Sequence, residues 1–276
     1  MSTPAPAQVG GPHGPAASAP GRWGGARASA LGAALGPYVA QSRAEIAMTL
    51  RRGETLLVTV GIPVAFLLFF STVHVVDVGP HAVRFFLPGI LGLAVMSTAM
   101  VSNGIATGFE RGYGVLKRLG ATPLGRPRLL AAKVSAVVVV ELIQAVVLVP
   151  VGLGLGWGAP GGGIGIGPAL GVALLATVAF GGIGLLLAGV LRAEVNLAAA
   201  NGLYLVLLLL GGMIVPLSRL PSGLATVARA LPAAALSSGL HSALGSGGAV
   251  PLHSWVVLAV WAVVVPAGAA LTFRWE

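Results

Sequence analysis

The sequence predicts an all-α integral membrane protein with six transmembrane helices in one domain and both termini in the cytoplasm. Three observations carry that prediction. Only 8% of the 276 residues are charged and 56% are hydrophobic, where a soluble domain is usually about a quarter charged. Mean hydropathy is +0.95. Six segments are apolar over about 20 residues, the length needed to cross a bilayer: 56–73, 85–108, 134–156, 168–191, 198–216 and 254–273. Finally, thirteen of the 16 Lys and Arg fall in segments that alternate onto one side of those spans, leaving Arg84, Arg219 and Arg229 on the other. The cation-rich side is the cytoplasmic one.

The elements follow in order. Residues 1–37 are rich in Ala, Gly, Pro and Ser and lack the apolar core of a signal peptide, so a disordered cytoplasmic tail is expected. Residues 38–276 then form the transmembrane domain. It begins with an amphipathic helix over 38–54, expected to lie along the inner membrane face. Val39, Ile46 and Leu50 share its apolar side, and Gln41, Glu45, Arg51 and Arg52 the other. The first span contains Pro63, tolerated in a membrane helix where neighbours satisfy the freed carbonyl. Spans four and five are separated by a tight turn at 192–197. Between spans five and six, residues 217–253 are too rich in Pro and Gly to cross. There Leu220, Leu224, Val227 and Leu231 recur at helical spacing up to Pro232, which predicts a short amphipathic helix that lies at the outer surface or dips back into the membrane. Trp255 and Trp275 flank the last span as interfacial aromatics do.

The most informative segment is the loop 109–133, FERGYGVLKRLGATPLGRPRLLAAK, which holds six of the 16 cations. Glu110 to Leu119 can form a short helix with its acid in the first turn and Lys117 and Arg118 in the last, the order that suits the helix dipole. Tyr113, Leu116 and Leu119 make one apolar side. Gly120 ends this helix, and Thr122-Pro123 is an N-cap and N1 signal for the next. The expected product is helix, break, helix, with exposed apolar residues ringed by cations, as in an amphipathic helix that docks in a partner's groove. A plainer alternative is a topology-setting loop resting on anionic lipid.

The segment GVLKRLGATPL resembles the cytoplasmic loop of ABC-2 type permeases of ATP-binding-cassette exporters, most closely the actinobacterial drug-resistance permeases related to daunorubicin exporters. The resemblance runs from about Tyr38 to Phe273 and includes the amphipathic first helix, the six spans and the helix between spans five and six. It implies a multi-pass permease subunit in a bacterial plasma membrane. ATP and Mg would be bound by a partner ATPase, and a second permease subunit would complete the assembly. Cargo would be a hydrophobic drug, antibiotic or lipid-like molecule, with antibiotic resistance as the expected role. The coupling residues it points to are Glu110, Arg111, Tyr113, Leu116, Lys117, Arg118 and Leu119. Many members carry a second acid soon after the Glu-Arg pair. Here the chain reads Glu110-Arg111-Gly112-Tyr113, so no salt bridge from that acid carries over.

Several chemistries are absent from the sequence. A phosphate-binding P-loop needs Gly-Lys-Ser/Thr, and the only lysines, Lys117 and Lys133, follow Leu116 and Ala132. The chain is therefore expected to be a transport subunit without an ATPase site of its own, not an enzyme. With no Cys and no His-Glu-x-x-His, no metal site is expected. The net charge of +9 is explained by topology rather than by nucleic acid. Glu141 is the acid deepest in a span, with Gln144 on the same face. The pair would either line the translocation path and favour cationic cargo or form an interhelical hydrogen bond. The alternative function is an ion- or proton-coupled secondary transporter. It would want more intramembrane ionisable groups than Glu141 and matched Gly/Pro breaks in both halves.

Overall fold

The protein is described here by a computed structural model covering residues 26–73, 81–121, 125–161 and 163–272. Residues 1–35 form a unit of their own. Its described part, 26–35, belongs to helix α1 (Ala26–Arg51), so the expected unstructured tail is helical there, and the remainder of that tail lies outside the described residues. The second unit comprises residues 36–276.

Among the described residues every regular element is helical. Helix α1 turns through 67° into α2 (Gly53–Thr72). The second span is one long helix, Ala82–Gly112, formed by α3 (Ala82–Met96), a π-helical turn (Ser97–Ser102) and α4 (Asn103–Gly112). Then come α5 (Val115–Gly120), α6 (Arg126–Gly154), α7 (Ile166–Val190) and α8 (Ala193–Leu210). Two short helices, α9 (Ser222–Arg229) and α10 (Pro232–Leu240), lead through a second π-helical turn (His241–Gly245) to α11 (Leu252–Thr272). Five of the helices are long and apolar enough to span a membrane, and six when the bent pair α1–α2 counts as one. The chain is thus a multi-pass membrane protein.

The bundle is held by close backbone approach, as expected where hydrocarbon surrounds the helices and packing replaces the hydrophobic effect. A Cβ at Gly104 would sit 2.9 Å from the backbone of Gly184, so the second and fourth spans cross with almost nothing between them. A Cβ at Gly182 would lie 2.7 Å from the Pro266 ring of α11. Asn196 of α8, wholly buried, donates from Nδ2 to the Gly104 carbonyl at 2.9 Å. The turn expected over 192–197 is therefore shorter, since α8 already begins at Ala193 and Asn196 is a packing residue.

Two stretches differ from expectation. The fifth span ends at Leu210, not at Pro216, because Gly212 takes a left-handed conformation (φ 70°) and turns the chain back. Met213 is then buried against Gly92 of α3. Second, α10 is no surface element. Eight of its nine residues are buried, although a helix of that length, about 14 Å, cannot cross a bilayer. Small residues allow the insertion: a Cβ at Gly239 would lie 2.8 Å from Val172 of α7. The indole of Trp157 secures it by donating to the Leu244 carbonyl at 2.9 Å. Only α9, carrying exposed Leu224 and Val227, matches the expected amphipathic helix. Trp255 packs over Gly171, and Trp275 lies outside the described residues.

Candidate functional site

The basic hairpin departs from a single helix over 110–119. Gly114 adopts φ 71°, breaking α4 from α5 one turn after Glu110. Helix α5 ends at Gly120, where the sequence places a stop. Thr122, Pro123 and Leu124 lie outside the described residues. Helix α6 starts at Arg126 behind Gly125, whose φ of 70° and ψ of 155° suit glycine almost alone, with Pro127 in its first turn.

The Glu-Arg pair turns inward. Lys133 of α6 has a side chain only 2% exposed and lies between two carboxylates. It donates to Glu110 at 2.6 Å and pairs with Glu45 of α1 at 3.2 Å. This ion cluster ties α1, the end of the second span and the start of the third. One cation between two acids is strongly held, because the low-dielectric surroundings make an unpartnered charge costly. Next to it, the Arg111 guanidinium donates to the carbonyls of Gly189 and Leu191 at the C-terminal end of α7. A cation there satisfies orphan carbonyls and complements the helix dipole. Neighbouring residues thus bind different helices, Glu110 to α6 and Arg111 to the end of α7.

The amphipathic helix fits this frame in an unexpected way. Glu45, assigned to the polar solvent-facing side, is buried with Ser42, while Val39, Met48 and Leu50 are exposed. Tyr38 shares a hydrogen bond of 2.7 Å with Ser135 of α6, and Gln41 donates to Glu45 at 2.8 Å. The part of the polar face that bears Ser42 and Glu45 therefore meets protein, while Arg51 and Arg52 stay exposed along with Val39, Met48 and Leu50.

The hairpin's apolar side also splits. Leu116 is fully buried among Leu129, Leu130, Leu185 and Ala269, with Leu119 packed beside it. Leu116 is thus an anchor, and the expectation that it is exposed for docking does not hold. Tyr113 is 76% exposed and stacks on Phe109. Val115, Lys117 and Arg118 are exposed with it. The geometry is a small outward face, aromatic and cationic, on a base fixed to α1, α6, α7 and α11.

Glu141 and Gln144 share a face of α6 but have different surroundings. Gln144 is fully committed. Its amide nitrogen donates to the Thr59 carbonyl at 2.9 Å and reaches Thr98 Oγ1 at 3.2 Å, and its oxygen accepts from Thr98 at 3.3 Å. Thr59 is the residue four before Pro63, so its carbonyl is the one proline leaves without a helical donor. Thr98 sits in the π-helical turn. Gln144 is therefore a clasp joining three spans, the interhelical role foreseen as one of its two alternatives. Glu141 contacts Thr177 Oγ1 at 2.5 Å through Oε2, while Oε1 is buried without a partner. Both residues border a cavity of about 460 Å³ between α3, α6, α7 and α10. Among the described residues no group of His, Asp and Glu is arranged to hold a metal ion.

No curated protein matches the sequence significantly. The family model described as ABC-2 type transporter matches residues 38–244, three quarters of the chain, from the amphipathic helix through the buried α10 turn. Matched over that length, the chain belongs to the ABC-2 type transporter family.

Proposed function

We propose that this chain is the membrane-spanning permease subunit of an ATP-binding-cassette exporter in a bacterial plasma membrane. In this reading both termini and the basic hairpin face the cytoplasm. ATP and Mg are bound and hydrolysed on a separate ATPase subunit, and a second permease subunit completes the pair. The observation that carries the proposal is the division of labour in the hairpin. Glu110 and Arg111 are wired to three spans and α1, whereas Tyr113, Lys117 and Arg118 point outward. A partner that grips the outward face moves a rigid base, and the base is bonded to the helices that must rearrange. Leu116 and Leu119 transmit that movement as packed anchors rather than as contact residues.

The driving principle is differential contact. A partner shifts the equilibrium between two arrangements of the spans only if it binds them unequally. The ion cluster and the Arg111 contacts are polar links that can exist in one arrangement and loosen in the other. The cargo is a hydrophobic drug, antibiotic or lipid-like molecule taken from the bilayer, and antibiotic resistance is the physiological role this implies. Transport should be measured in vesicles containing the chain with its ATPase subunit. Uptake into inside-out vesicles should require ATP and persist when ion gradients are collapsed. Uptake that follows a proton or sodium gradient without the ATPase would instead establish a secondary transporter.

A further inference from the structure

The cavity of about 460 Å³ lies within one chain and has the volume of a site for a drug-sized ligand. Its wall includes Leu91, Val95, Val149 and Trp157, and among the described residues Glu141 is the only ionisable side chain that borders it. Leu142 and Val146 of α6 and Leu170 and Leu174 of α7 stand at its margin and are exposed. The cavity therefore opens sideways between the third and fourth spans, towards hydrocarbon.

Three features define an occupant. Thr177 Oγ1 lies 2.5 Å from Glu141 Oε2 and 2.8 Å from the Ala173 carbonyl oxygen, so one hydroxyl proton faces two acceptors. Oε2 has at most a share of that proton, and Oε1 is buried and unpartnered, so a cationic donor reaching Oε1 would bond the carboxyl most strongly. Second, Glu141 is 15 residues from the start of α6 and 13 from its end. At 1.5 Å per residue that places it about 20 Å from either end, too deep for the headgroup of a bilayer lipid anchored at the interface. Third, the other polar side chain on the wall, Gln144, already has its hydrogen bonds made. The cavity thus has room for an apolar body and a need for one positive nitrogen.

We propose that this cavity binds a hydrophobic amine, a molecule of drug size whose single protonated nitrogen pairs with Glu141 while its apolar body fills the space between α3, α6 and α7. This deepens the transport reading by naming a cargo class and rests on that reading only for the onward step; binding is a property of the chain alone. The test uses the full chain in lipid nanodiscs, with empty nanodiscs as the blank for partitioning. The probes are 1-naphthylmethylamine and its neutral counterpart 1-ethylnaphthalene, which differ by an ammonium against a methyl group. The amine should bind saturably and at least tenfold more tightly than the hydrocarbon. Glu141→Gln should bring the two within about twofold. Ala173→Phe, which fills the cavity, should weaken both, and Ala173→Leu should do so partially if the larger residue disturbs folding. Equal affinities in the unaltered chain, a preference that survives Glu141→Gln, or binding indifferent to both Ala173 changes would overturn the proposal. If the amine binds as described but ATP drives no transport, the site stands and the exporter reading fails. ATP-driven transport without amine binding gives the reverse.

Discussion

Lys133 ties α1, α4 and α6 together by charge. Its ammonium sits between Glu45 and Glu110, nearly sealed from solvent. Removing one member of such a cluster leaves the others buried without compensation. Lys133→Met is expected to lower stability by about 3 kcal/mol, seen as a lower midpoint in thermal unfolding of the detergent-solubilised chain. Adding Glu45→Gln and Glu110→Gln to that variant should recover most of the loss, because no uncompensated charge remains. A triple variant as unstable as the single one would show that Lys133 acts through packing alone. The sequence marks Lys133 only as one cation in a basic loop, since a buried ion cluster depends on residues 23 and 88 positions away. Gln144 was easier to read. A lone amide in an apolar span must find partners, and Pro63 creates an orphan carbonyl. What the sequence withheld was that the two needs meet.

At the scale of elements, the spanning helices were legible because hydropathy and length fix them, although α1 begins at Ala26 instead of 38, α6 at Arg126 ahead of the span expected from 134, and α8 ends at Leu210 instead of 216. Breaks set by single backbone conformations were less so. Gly114, Gly125 and Gly212 all take positive φ, yet each is one glycine among 42 in the chain, so composition gives little reason to choose them. Glycines flanking Tyr113 in Arg-Gly-Tyr-Gly-Val were the available sign that the hairpin breaks twice. The buried α10 was missed for another reason. PAAALSSGL is too short to span and too polar to read as core, and its burial comes from small side chains fitting against Val172 and Gly211. The same logic governs the crossing of the second and fourth spans. A methyl group at Gly184 would collide with the Met100 carbonyl within the π-helical turn. Gly184→Ala should destabilise the chain by about 1–3 kcal/mol, whereas Gly202→Ala in α8, where a Cβ meets open space, should be close to neutral. Equal melting behaviour of the two variants would contradict the packing described for this crossing.

For the molecule as a whole, the arrangement explains why the cations gather at one end. Under the positive-inside rule they are expected to fix orientation, and at least Arg111 and Lys133 also hold helices together. Arg111 closes the end of α7 and Lys133 the ion cluster, while Lys117 and Arg118 stand exposed with Tyr113 on the outward face. We propose that this face receives the ATPase subunit. That docking is tested most directly by co-purifying the ATPase subunit with the unaltered chain and with a Tyr113→Ala, Arg118→Glu double variant. Exposed aromatic and arginine residues dominate binding energy at protein interfaces, and both positions lie away from the anchors. The double variant should insert and melt like the parent while binding the ATPase subunit at least tenfold more weakly, about 1.4 kcal/mol. Unchanged recruitment by a correctly inserted variant would place the docking surface elsewhere and contradict the account.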